Sequence, residues 1–141
     1  MNARLAHRVE RLLPSPTLAV SSKAKAMTAA GHPVISLAAG EPDLPTPAVA
    51  VEAAMKALLD GATRYTAVKG IPELLSAIAE DSSRARGYRH DATTEVVVTV
   101  GAKQALFNLF QVLLDDGDEV LLPQPSWVSY VPQVELAGGV A

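Results

Sequence analysis

Apolar positions along the chain alternate between two periods. Leu5, Val9, Leu12 and Leu13 fall at i, i+4, i+7 and i+8, the spacing of one helix face, and Pro14 and Pro16 stop that helix. Residues 18–30 suit a second helix, closed by Gly31 as the residue just past its end. VISL, residues 34–37, is a short apolar run of strand type. GEPDLPTP, residues 40–47, carries three prolines in eight residues, which excludes helix and central strand.

Thr46-Pro47 reads as a helix start, with Thr as the cap and Pro at the first helical position; this helix runs to about Leu59 and Gly61 closes it. ATRYTAVKG, residues 62–70, is a loop. Pro72 opens the next helix. Its buried face is Leu74, Leu75, Ile78 and Ala79, Arg84 and Arg86 suit its negative end, and Gly87 terminates it. EVVVTV, residues 95–100, is apolar without alternation, as in a strand covered on both faces. Residues 102–114 form a helix that is apolar nearly all round, so it should be buried on several sides. After the turn DDGD come a strand at 119–123, a helical start in PSWVSY, and GGVA at 138–141 as the opening of another strand. Helices alternating with apolar strands predict an α/β fold: a mainly parallel sheet with flanking helices. The chain stops where a strand should begin, so it is expected to be an N-terminal piece of a longer protein.

Composition narrows the class. Apolar residues make up 49% and charged residues 19% of 141 residues, a globular balance on the apolar side for one small domain. Net charge is −3, which points away from nucleic acid and anionic membranes. The absence of cysteine excludes disulfides and thiolate metal sites. No apolar run approaches the ~20 residues of a membrane span. MNARLAHRVERLL has scattered charges and no continuous apolar core, unlike a signal peptide. The expected location is the cytoplasm, with neither nucleic acid nor membrane as partner.

Four stretches could carry chemistry. At Val100-Gly101-Ala102-Lys103 a strand turns into a helix, and ligands of open α/β sheets bind at the carboxyl ends of strands. A helix start there offers N–H groups and a positive dipole to a phosphate. Lys103 in that first turn opposes the dipole by up to about 1 kcal/mol, a conflict that a bound anion removes. Gly101 could equally serve a tight turn with Lys103 in solvent, and the spacing is neither a Walker loop nor a dinucleotide fingerprint. Gly40, directly after a strand, could bring its N–H close to a carboxylate, or belong to a proline-stiffened connection. Tyr65 and Arg64 lie in a loop, where functional polar groups concentrate. Trp127, the only tryptophan, could stack on a planar ligand or fill a core.

Taken in order, SLAAGEPDLPTP, TRYTAVKGIPELLSAIA, VVVTVGAKQALFNLFQVLLDDGDEVLLPQPSWVSY and ELAGGV resemble the class I aminotransferases, pyridoxal-phosphate enzymes of the aspartate-aminotransferase fold (fold type I), nearest the bacterial aspartate and aspartate/prephenate branch. The resemblance covers nearly the whole chain. It implies that residues 1–45 are the N-terminal arm and a small-domain segment, and 46–141 the first part of the large cofactor-binding domain. It implies that Gly101, Ala102 and Lys103 form the cofactor-phosphate turn. Lys103 would also hold the distal carboxylate of an acidic substrate. Trp127 would stack on the pyridine ring near the substrate, and Gly40 would meet the substrate α-carboxylate. Tyr65 would reach the phosphate of a partner subunit's cofactor, hence a homodimer. Amino-acid and 2-oxo-acid substrates follow, aspartate or glutamate foremost. Two positions depart from the pattern: Leu44 where the family usually has Phe, and Ala102 where the branch usually has Gly.

The same resemblance puts the lysine that bonds the cofactor, the acid at its pyridinium nitrogen and the arginine for the α-carboxylate in segments absent here. No catalytic residue is assigned among Lys23, Lys25, Lys56, Lys69 and Lys103, and the 141 residues alone are expected to be inactive. Two other readings share the cofactor: a carbon–sulfur lyase of the same fold, and a non-catalytic regulator module. The Lys103 context disfavours the first, and the short stretch before the arm together with the chain's negative net charge disfavours the second.

Overall fold

The structure, a computed structural model, describes residues 4–10 and 12–141. Among them are six helices: α1 (His7–Glu10), α2 (Pro16–Ala29), α3 (Ala48–Leu59), α4 (Pro72–Arg86), α5 (Gly101–Leu113) and α6 (Tyr130–Leu136). The described residues up to Asp43 form one compact unit with Ala105–Ala141, and Leu44–Gln104 form the other.

The Leu44–Gln104 unit has its core on α4. Pro72 takes the first helical position and Gly87 the end, with Arg84 and Arg86 in the last turn, as the sequence predicts. Leu75 and Ala79 are buried against Val96, with Ala92 and Val98 packed around them. Leu74 and Ile78, predicted on the same face, remain exposed. The loop before α4 is fastened to the 93–98 stretch from two directions. Lys69 accepts a 2.8 Å bond on its carbonyl from Val98 N–H and donates from Nζ to Thr93 O at 2.8 Å. Beside it, Gly70 has φ +118°, and a β-carbon there would lie 2.7 Å from Val98 Cγ2.

In the other unit α1 packs on α6, and Val134 is wholly buried. Ser15 caps α2, accepting from Leu18 N–H at 3.4 Å, with Pro16 opening the helix. Pro16 therefore starts a helix where the sequence reading had it only ending one. The first helix is confined to His7–Glu10 rather than reaching Leu13, and Arg11 lies outside the described residues. Conversely, α3 begins at Ala48 with Pro47 as its cap residue and no side-chain cap bond, so Thr46 does not cap it.

The mainly parallel sheet is not found. Among the described residues the sheet pairing is one parallel bridge, Glu119 to Val140. It is secured by Val120 N–H to Val140 O and Val140 N–H to Asp118 O, both 2.8 Å. A parallel strand takes its hydrogen bonds from neighbouring strands brought alongside by crossovers. Residues 34–37 and 95–100 form no strand, and the Val98 and Val100 amides donate to a loop carbonyl and a side chain instead. The helix α5 likewise has no buried residue, against the expectation of burial on several sides; Val112 is 80% exposed.

Candidate functional site

Residues 98–104 make a turn whose parts hold one another. Gly101 opens α5 with φ +75°, a conformation that costs an L side chain about 1–2 kcal/mol. Its N–H donates to Thr99 O at 2.8 Å, closing a tight three-residue turn at Val100. Thr99 Oγ1 donates to Gly101 O at 3.0 Å, and Val100 N–H donates to Gln104 Oε1 at 2.6 Å. The chain is thereby bent from an extended segment into a helix within two residues.

That geometry suits an anion. The first N–H groups of an α-helix have no intrahelical acceptor, and the dipole makes this end positive. Gly101, Ala102 and Lys103 are all exposed, and nothing lies within 4 Å of the position a β-carbon on Gly101 would take. The three predicted phosphate residues thus stand together in one accessible turn with space before it. Ala102 at this start is compatible with the role, since the contribution is its N–H and not its side chain. A phosphate fits the donor set.

The remaining predicted residues are distributed between the units. Tyr65 belongs with the turn in Leu44–Gln104 and is fully solvent-exposed, in the loop between α3 and α4. Gly40 and Trp127 belong to the other unit. Gly40 sits in an extended, exposed stretch with nothing within 4 Å of a β-carbon position. Trp127 follows the cis Gln124–Pro125 peptide and is 43% exposed. Its ring meets Tyr130 edge-on, centroids 5.6 Å apart at 83°. The large exposed fraction distinguishes it from a core tryptophan and leaves ring surface for a ligand.

Sequence reasoning missed Thr99, Gln104 and Lys69. Gln104 reaches back four residues to the Val100 N–H, a bond that no motif in the sequence marks. Lys69 depends on a contact 24 residues away and left no local sign.

A separate concavity of about 960 Å³ opens at the end of α4, lined by Ser83, Tyr88, His90, Asp91 and Glu95 among others. Several of its polar groups hold the corner, while His90 Nε2 is buried without a hydrogen-bond partner. Asp91 accepts from the Thr93 hydroxyl and from Thr93 and Thr94 N–H. Glu95 accepts from Asp91 N–H and Tyr88. Ser83 accepts from His90 N–H. It contains no predicted site residue.

Aspartate aminotransferase of Geobacillus stearothermophilus is 54% identical over 137 residues, 97% of this chain and 35% of that protein. Aspartate/prephenate aminotransferase of Thermus thermophilus is 49% identical over 96% of this chain and 35% of its own length. The solved aspartate aminotransferase from Thermus thermophilus with maleate superposes with a TM-score of 0.92 at 48% identity, over 98% of this chain and 36% of that one. The chain thus spans about 35% of the length of these relatives and has the corresponding part of the aspartate-aminotransferase fold. The family pattern for aminotransferase class I and II matches residues 32–141, and the chain belongs to that family.

Proposed function

We propose that the protein carrying this chain is a pyridoxal-phosphate aminotransferase that moves an amino group between aspartate or glutamate and a 2-oxo acid. The observation that carries the reading is the turn at Gly101–Lys103: an exposed helix start, bent by a positive-φ glycine, with a cation in its first turn. The phosphate of the cofactor would rest on the amides of Gly101, Ala102 and Lys103. Bound there, the cofactor supplies the electron sink for breaking bonds at the substrate α-carbon.

The chain's own residues would orient both ligands. Trp127 would stack on the pyridine ring, Gly40 N–H would meet the α-carboxylate, and Lys103 would attract the distal carboxylate. Tyr65, exposed on its loop, would reach the phosphate in a partner subunit, which makes the functional form a homodimer. Maleate in the Thermus structure is a dicarboxylate, which supports an acidic substrate here. Residues 1–45 would serve as the arm and small-domain segment and 46–141 as the start of the large domain. The proton-transferring lysine is none of the five present, and the protein is placed in the cytoplasm.

The test is amino transfer by the full-length protein from aspartate to 2-oxoglutarate, followed with a borohydride-reducible cofactor absorbance. The 141-residue chain assayed alone should give no turnover. Elimination from a cysteine-like substrate in place of amino transfer would overturn the reading in favour of a lyase. Robust transamination by the 141 residues alone would overturn the assignment of the chemistry to residues outside them.

A further inference from the structure

We propose that Gln104 is a positioning residue for the phosphate turn, acting through Val100 and with Thr99 as its counterpart. The proposal rests on the function proposed above and assigns how the turn keeps its form.

A phosphate cradle made of backbone amides has no side-chain functional group to anchor it, and its affinity depends on the amides being aimed before the ligand arrives. The two sides of Gly101 are each tied by one side chain. On the N-terminal side, Gln104 Oε1 takes the Val100 N–H at 2.6 Å. On the C-terminal side, the Thr99 hydroxyl donates to the Gly101 carbonyl at 3.0 Å. Between them the backbone closes on itself from Gly101 N–H to Thr99 O at 2.8 Å. The consequence is selective. Val100 N–H faces Gln104 and not the ligand, and the bend that follows is fixed at the glycine.

All of this sits in solvent, with Thr99 half-buried and Gln104 exposed. No neighbouring side chain packs against Gly101, so its positive φ is held by the two side-chain bonds together with the backbone bond to Thr99 O. Removing the Gln104 acceptor should let the Val100 peptide rotate and the first-turn amides spread. The phosphate then binds a turn that it must itself order.

The experiment compares pyridoxal phosphate with pyridoxal, which lacks the phosphate, on the full-length protein. Gln104→Met keeps length and removes the acceptor. It should weaken pyridoxal phosphate about fivefold, the value of one net hydrogen bond, and leave pyridoxal affinity unchanged. Thr99→Val should do the same from the other side. Amide exchange at Val100 should accelerate in Gln104→Met without cofactor, which a role limited to global stability would not produce. Equal affinity of wild type and both variants for pyridoxal phosphate would overturn the proposal, as would parallel loss of both ligands. Wild-type protein that binds neither ligand would overturn the proposed function and this assignment with it.

Discussion

Gly101 and Gly70 both have positive φ, but for different reasons. At Gly101 the space around a β-carbon is open, so substitution by alanine meets only backbone strain. At Gly70 the same substitution adds a 2.7 Å approach to Val98 Cγ2 and a 3.0 Å approach to Val98 Cβ. Gly101→Ala should therefore cost about 1–2 kcal/mol and Gly70→Ala about 2–4 kcal/mol. Chemical denaturation of the full-length variants checks the order, and a Gly70→Ala protein as stable as Gly101→Ala would contradict it. Asp91 gives a pH signature. The Thr93 hydroxyl, then the Thr93 and Thr94 amides, hold its carboxyl below the usual aspartate value of 3.8. A depressed folded-state value means that its contribution is present above pH 3.8 and lost as pH falls through the lowered value. Thr93→Val should shift the acid-unfolding midpoint upward, and an unchanged midpoint would remove Asp91 from the account. The glycines were visible in the sequence as turn residues. The severity at Gly70 was not, because Val98 meets it only through the fold.

At the scale of elements, the two Xaa-Pro helix starts show what a local pattern can decide. Ser15-Pro16 and Thr46-Pro47 are chemically alike, yet only Ser15 bonds to the helix it precedes. Ser15→Ala should cost about 0.5 kcal/mol, the low end for a cap, since the bond is 3.4 Å long. Thr46→Ala should leave stability within measurement error. Thermal melts of the pair check this, and equal losses would show that Thr46 caps after all. Helices were legible because their hydrogen bonds close within the element; α4 could be read from Pro72 to Gly87. The strands were not, because a ladder requires a neighbour that no local run supplies. EVVVTV has the composition of a doubly covered strand, but its Val98 and Val100 amides go to Lys69 and Gln104. The bend into α5 at Gly101 was legible because glycine and an abrupt change of period coincide within four residues. The side chains that brace it were not read, because a glutamine in a helix start looks like any solvated polar residue.

At the scale of the whole chain, unburied apolar surface dominates. The described structure exposes 12145 Å², whereas a compact chain of this size exposes about 6,900 Å². Leu37, Leu59, Val68, Val100 and Leu121 are among the large apolar side chains more than four-fifths exposed. Exposed apolar area on this scale marks surfaces that belong against other protein. The 141-residue polypeptide produced alone should bind a hydrophobic dye strongly and self-associate. A monomeric, dye-negative sample with a cooperative melt would contradict this. The apolar excess in the composition carried the signal, whereas α5, expected to be buried on several sides, has no buried residue.

The bend at Gly101 has one more consequence, and it concerns mirror images. A positive φ is the backbone conformation that a D-residue prefers. Semisynthesis that places D-alanine at Gly101 should then stabilise the turn by about 0.4–1 kcal/mol, by removing freedom from the unfolded chain. The L-enantiomer at the same position should destabilise it. Opposite signs from two substituents that differ only in chirality would isolate conformation as the reason for a glycine there.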